Sequence, residues 1–274
     1  MKKNFALITG AGEGLGRSFA MECAIRGYDL LLVSLPGSRL EKLSGHIENH
    51  YGVKVWWLEM DLCQEGQINE LVNFLTRHNL PVTLLINNAG VGHTQRFDEL
   101  PDSNLEGLIN LNVRVSAQLT HHLIPVIQTQ GGGHILNVGS MACFYPLPYK
   151  SAYAASKAFL LTLSLALRAE LASVGIGVSV VCPNGINSNI KQYQIYKSQG
   201  WLGKWCFMQP DRVAGYAVDN CMKNIAVIVP GRINRFLLFL VALMPAFLKR
   251  HIAKNLMKPA GKPHPVSNRL PMAA

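Results

Sequence analysis

The chain has 274 residues, 49% of them hydrophobic and 15% charged, which is enough to bury a sizeable core and excludes a disordered polypeptide as the default. Its net charge of +10 is uneven, because nine Lys or Arg and no Asp or Glu follow Asp219, while the residues up to Asp219 carry 17 positive and 16 negative side chains. A neutral body with a basic tail is not the charge distribution of a nucleic-acid binder. Six cysteines without C-x-x-C spacing argue against a disulfide framework and for reduced thiols in a cytoplasmic setting.

The opening MKKNFALITG has only the short apolar run Phe5 to Ile8 and reads as no export signal. Lys3 to Ile8 is instead a short buried strand that runs into Thr9, Gly10, Gly12, Glu13, Gly14, Leu15 and Gly16, followed by helix-forming residues to Arg26. A glycine turn between a strand and a helix lets backbone N–H groups approach a pyrophosphate at the positive end of the helix. Asp29 to Val33 is a second strand, Leu40 to His50 a helix, and Val53 to Met60 a third strand that ends at Asp61 and Leu62. His46 and His50 have zinc-like spacing but no third ligand, so no metal is expected. The Asp61 carboxylate suits an adenine amino group, or else a helix cap.

Val82 to Ile86 is a fourth strand, ending in Asn87, Asn88, Ala89 and Gly90. Leu105 to Val126 is helical and carries Asn112; His134 to Val138 is a fifth strand leading to Ser140. A long helix from Ser151 to Val174 precedes strand six, Gly177 to Cys182, then Pro183, Asn184, Gly185, Ile186 and Ser188, and Ala226 to Val229 is a seventh strand. Strands alternating with helices imply β-α-β units in a parallel sheet with helices on both faces. The glycine turn, Asp61, Asn87 to Gly90, Ser140 and Pro183 to Ser188 all fall at strand C-termini, so one crevice can collect them.

Tyr153 and Lys157 lie four apart on the long helix, hence on one face, and a cation beside the phenol is expected to pull its pKa below about 10. Ser140, at the end of strand five, could hold a carbonyl oxygen against that phenol.

With these residues assembled, the chain from about Lys3 to Val229 resembles the short-chain dehydrogenase/reductase family. TGAGEGLG, NNAG, Ser140 with Tyr153-x-x-x-Lys157, and PNGINS carry the likeness, Asn184 standing where the family usually has Gly. The resemblance implies an α/β Rossmann fold of seven strands and a nicotinamide cofactor. It also implies catalytic roles for Asn112, Ser140, Tyr153 and Lys157: Tyr153 moves the oxygen's proton, Ser140 orients that oxygen, Lys157 holds the nicotinamide ribose, and Asn112 holds a water linked to Lys157. The alternative is a dinucleotide-sensing regulator that has kept the fold without turnover.

The end of strand two lacks a carboxylate, and Ser34 and Arg39 could reach a 2′-phosphate, so NADPH is expected to be preferred over NADH. Met141, Phe144, Tyr145, Leu147 and Tyr149, with aromatic residues between Tyr193 and Met208, point to an apolar carbonyl substrate: a 3-keto lipid of 3-ketoacyl or ketosphingoid type, or a steroid. Residues 1–230 are expected to form the catalytic domain, with a lid around 188–210, and 231–274 an extension. That extension holds Phe236 to Leu248, 13 apolar residues against the roughly 20 needed to span a bilayer. It is expected to pack on the body or in a homodimer or homotetramer, or to contact a membrane peripherally through Lys249, Arg250, Lys254 and Lys258.

Overall fold

The structure, a computed structural model, describes residues 4–186 and 207–245. Seven parallel strands form one sheet: β1 (Phe5–Thr9), β2 (Asp29–Ser34), β3 (Val55–Glu59), β4 (Val82–Asn87), β5 (Gly133–Val138), β6 (Ile176–Val181) and β7 (Val227–Ile228). Their order is β3-β2-β1-β4-β5-β6-β7. From β1 the chain winds outward to β3, then returns to place β4 on the other side of β1. That reversal opens a crevice at the carboxyl ends of β1 and β4.

The central strands are apolar without alternation because both faces are covered. All five residues of β1 are buried, whereas Trp56 and Trp57 of the edge strand β3 are exposed. On one face lie α1 (Gly14–Ile25), α2 (Leu40–Tyr51) and α7 (Pro210–Met222), whose Phe19, Ile47 and Val218 join Ile8 and Leu32 in one core. On the other face lie α3 (Gln67–Arg77) and α5 (Ser116–Thr129). There Leu71, Leu75, Leu119 and Leu123 pack with Leu7, Leu31 and Leu85. Ile68, Leu71 and Leu75 recur at helical spacing, so α3 buries one stripe. Gly52, in the left-handed region at φ 67°, stops α2 by returning its N–H to the Glu48 carbonyl, and Pro210 starts α7.

The expected strands are present with ends shifted by one or two residues; β3 and β7 are shorter than expected because edge and terminal positions lack partners. The helix expected over Leu105 to Val126 differs more. It is α4 (Asp102–Ile109), a π-helical turn (Asn110–Val115) and then α5. α6 (Ser151–Leu171) closes the crevice, and α8 (Arg232–Leu243) follows β7.

The region expected to form the lid lies outside the described residues except at its end. Phe207 and Met208 fold back there: the Met208 N–H donates to the Gly185 carbonyl at 3.0 Å. α8 packs through buried Asn234 and through Leu238, while Phe236, Phe239 and Leu243 are about 60% exposed or more. Among the described residues no helix is long and apolar enough to cross a membrane. The tail cations at 249, 250, 254 and 258 lie outside the described residues.

Candidate active site

The crevice begins at the glycine turn. Gly10 adopts φ +64°, and a Cβ on Gly16 would sit 1.9 Å from the Gly10 carbonyl oxygen, so α1 approaches the turn only because residue 16 has no side chain. Strand four braces the turn from the side. The buried Thr9 hydroxyl accepts from the Asn88 and Ala89 N–H groups at 3.1 and 3.0 Å, and the Asn88 amide donates to the Thr9 and Gly10 carbonyls at 2.9 and 3.1 Å. Asn87 points inward instead, donating to Asn137 at 2.8 Å and Thr120 at 3.0 Å.

Among the described residues no side chain caps the first turn of α1, whose N–H groups suit an anion. Gly90 lies directly on the catalytic candidates, because a Cβ there would stand 3.0 Å from Asn112 Oδ1 and 3.3 Å from Lys157 Nζ. These two cradles fit a dinucleotide laid from the α1 N-terminus across to Lys157. Leu15 and Leu62 are buried in the cores, so only their backbone faces that path. Glu13 is exposed beside the turn, and one Asp61 carboxylate oxygen accepts the Cys63 N–H at 2.9 Å. Pro183, Gly185 and Ile186 follow β6 at the same edge, the Pro183 carbonyl accepting from the Met141 N–H at 2.9 Å. Ser188 lies outside the described residues, as do Tyr193 through Trp205.

Ser140, Tyr153 and Lys157 meet at the β5 end of this crevice. The Ser140 hydroxyl accepts the Ala142 N–H at 3.2 Å, and its hydrogen bond with the Tyr153 phenol favours the ionised phenol. The Lys157 ammonium stands 5.9 Å from the centre of the Tyr153 ring and donates to the Val138 carbonyl at 2.8 Å.

The electrostatics differ from the sequence expectation. Burial outweighs every other influence on Tyr153 and raises its pKa above the ordinary phenol value, and Lys157 is not among the groups that lower it. The same burial lowers Lys157 itself to about 8. Both ionised forms are penalised by the loss of water, and the lysine's proton is turned toward a carbonyl rather than the ring.

Asn112 is held from both ends of its amide. Its Oδ1 accepts the Val91 N–H at 2.9 Å, and its Nδ2 donates to the Val91 carbonyl at 2.9 Å and to Ser156 at 3.0 Å. The side-chain amide is thus fixed by backbone and Ser156, with one lone pair of Oδ1 engaged by Val91. It sits in the π-helical turn, whose wider loop departs from the regular α-helical ladder.

Four residues escaped the sequence reading. Ser156 joins Asn112 to α6. Glu59, paired with Ser34 across β2 and β3, accepts the Gly37 and Leu40 N–H groups at 2.7 and 3.2 Å, with Ser38 at 3.4 Å. Those bonds, that of Gly37 first, lower its pKa and shape the loop that presents exposed Arg39. Cys143 has its sulfur 3.7 Å from that of Cys182. Lys150 lines the cleft beside Tyr153. Only the register of β2 on β3 would have exposed Glu59, and none of the other three carries a motif. Asn184, the departure from the family's glycine, donates to Asn234 of α8 at 3.2 Å. His46 and His50 stack ring to ring at 4.1 Å, and among the described residues no three His, Cys, Asp or Glu side chains form a metal-binding group.

The chain is similar to the very-long-chain 3-oxoacyl-CoA reductases of Pyrenophora tritici-repentis, at 34% identity over 65% of this chain and 53% of that protein, and of Anas platyrhynchos, at 32% over 65% and 58%. It therefore spans just over half the length of these curated relatives. Among solved structures it is similar to a short-chain dehydrogenase from Sphingobium yanoikuyae in complex with NADPH. That likeness has 29% identity, a TM-score of 0.76, and covers 95% of this chain and 98% of the other. A bulky-bulky ketone specific alcohol dehydrogenase from Comamonas testosteroni superimposes with a TM-score of 0.74 at 26% identity over 95% and 97%. The profile of the short chain dehydrogenase family matches residues 4–198, across the glycine turn, the β4 end and the Ser140, Tyr153 and Lys157 cluster, and the chain belongs to that family.

Proposed function

We propose that the protein reduces the ketone of a hydrophobic 3-oxo lipid, with NADPH preferred over NADH. The observation that carries this reading is the convergence of Ser140, Tyr153 and Lys157 on the crevice edge that also holds the glycine turn. The nicotinamide, when bound, supplies the hydride. Thr9 to Gly16, with the first-turn N–H groups of α1, hold the pyrophosphate, and Asn88 keeps the turn in shape. Arg39, with Ser34, meets the 2′-phosphate, on a loop held by Glu59.

Ser140 orients the ketone oxygen, and the Tyr153 hydroxyl gives it a proton as the carbonyl carbon is reduced. Because burial raises the Tyr153 pKa, the phenol keeps that proton through neutral pH, which suits it as an acid and therefore suits reduction. Lys157 returns the proton and binds the ribose hydroxyls. Asn112 positions Lys157 through Val91 and Ser156. The substrate's chain runs along Phe97, Leu100 and Leu108, which line the cleft with Tyr153. The relatives' printed activity favours an acyl lipid over a steroid.

The test is a panel of ketones of rising chain length with purified protein and either nicotinamide. Rates that climb with chain length and with NADPH support the proposal; faster turnover of small polar sugars, or a tighter dissociation constant for NADH, contradicts it. In this reading the exposed side of α8 is covered by a second subunit or by a membrane surface. Concentration-dependent mass without vesicle binding identifies the subunit; salt-sensitive binding to anionic vesicles identifies the membrane.

A further inference from the structure

Lys150 precedes Tyr153 by three residues, at the N-cap position of α6, and lines the same cleft. The wall around it mixes apolar Phe97, Leu100 and Leu108 with His93, Gln95 and Ser151, and among the described residues no carboxylate lines it. The nearest acids along the 91–100 segment, Asp98 and Glu99, are paired with Arg96 at 2.7 and 3.4 Å. Lys150 itself has no hydrogen bond or ion pair from its ammonium among the described residues. Burial lowers its pKa from the ordinary lysine value, with no partner to oppose that effect.

The backbone before it is strained into place. Tyr149 sits in the left-handed region at φ 62°, unusual for a bulky side chain, and its carbonyl is held by the Gln95 N–H at 2.8 Å. A half-buried cation without a partner, held by a strained neighbour beside the reacting tyrosine, is an arrangement that a ligand's oxygen would stabilise.

We propose that Lys150 binds an acyl oxygen of the substrate next to the reacting ketone, so that the preferred substrates are 1,3-dicarbonyl lipids. This deepens the function proposed above and rests on it. Residues three apart on a helix have Cβ atoms about 5–6 Å apart, so an oxygen held by Lys150 while Tyr153 holds the ketone belongs to a carbon close to that ketone. The free carboxylate of a 3-oxo acid and the carbonyl of its thioester present the same chemistry. An amine next to the ketone, as in a ketosphingoid base, would meet a like charge, and a ring ketone without a second oxygen would leave Lys150 unpaired.

The test compares wild type with Lys150→Met on a long-chain 3-oxo acid, its N-acetylcysteamine thioester and a methyl ketone of equal chain length. Loss of a charge-assisted hydrogen bond is expected to lower kcat/KM by about tenfold to a hundredfold for a dicarbonyl substrate. The methyl ketone is expected to change by less than about threefold, and Lys150→Arg to recover part of the loss. A loss confined to the acid identifies a carboxylate as the natural ligand group; a similar loss on acid and thioester identifies the carbonyl oxygen. Equal losses on all three ketones, or none on any, overturn the proposal.

A binding measurement on wild-type protein does not depend on the variant folding or on turnover. A long-chain fatty acid is expected to bind the NADPH-loaded protein more tightly than the alcohol of equal length; equal affinity would again overturn the subsite. Should wild type reduce none of the three ketones while still preferring the acid, the proposed reaction fails and the Lys150 subsite survives.

Discussion

Tyr153 and Lys157 show how far a pair of residues can be judged from spacing. That they share a helix face was legible from four-residue separation; that both ionised forms are penalised was not, because burial depends on β5, α4 and the π-helical turn packed around them. The consequence is a direction in pH. With its pKa raised, Tyr153 remains a proton donor beyond the ordinary phenol value of about 10, so the reduction rate is expected to hold level through neutral pH and to fall only above about pH 8, where Lys157 loses the proton it returns. The reverse oxidation needs the phenolate and is expected to climb with pH over the same range. Steady-state profiles in both directions check this.

Lys157, lowered to about 8, binds fewer protons in the folded than in the unfolded chain between about pH 8 and its ordinary value of about 10.5. Its cost to the fold is complete below pH 8 and fades as pH rises through that window. The Tm of Lys157→Met minus that of wild type is therefore expected to shrink from pH 7 to 9. The bond lost to the Val138 carbonyl shifts this difference by an amount that does not vary with pH. A gap that widens with pH would contradict the assignment.

At the scale of elements, the apolar runs of β1, β2, β4, β5 and β6 were legible because strands covered on both faces need no alternation. The π-helical turn at Asn110–Val115 was not legible, since Asn-Leu-Asn-Val reads as ordinary helix until Val91 and Ser156 claim the Asn112 side chain. The glycine turn carries a sharper expectation. Gly16→Ala would drive a methyl into the Gly10 carbonyl, and overpacking of this kind costs about 1–3 kcal/mol while displacing α1 from the turn. Calorimetry with NADPH is expected to show lost affinity together with a lower Tm; unchanged affinity would mean that α1 does not face the pyrophosphate.

The β2–α2 loop joins two side chains with opposing roles. Arg39→Ala is expected to weaken NADPH more than NADH, because only the former has a 2′-phosphate. Glu59→Gln is expected to weaken both nucleotides, since the carboxylate organises Gly37, Ser38 and Leu40 rather than choosing between phosphate and hydroxyl. Dissociation constants for the four combinations distinguish the two roles. If Glu59→Gln instead tightens NADPH alone, the carboxylate is repelling the phosphate.

Across the whole molecule, the order of motifs along the chain announced one crevice because each followed a strand. The sheet order confirms the geometry: β1 and β4 are neighbours, which brings the Thr9 hydroxyl to the Asn88 and Ala89 amides. Lys150 and Glu59 were not legible, for their importance lies in which groups around them lack or supply a partner, and that is a property of packing. The two cores and the crevice between β1 and β4 make the central claim chemical: Tyr153 gives its proton to the oxygen of a lipid ketone.

The most direct measurement of that claim is the rate of NADPH oxidation by Tyr153→Phe against wild type with a long-chain 3-oxo thioester, alongside the NADPH dissociation constant of each. The expected result is a rate lowered by at least about a hundredfold, in line with loss of a general acid, with NADPH affinity nearly unchanged. A Tyr153→Phe protein that kept more than about a hundredth of the wild-type rate, or lost NADPH affinity in step with the rate, would contradict the role given to Tyr153.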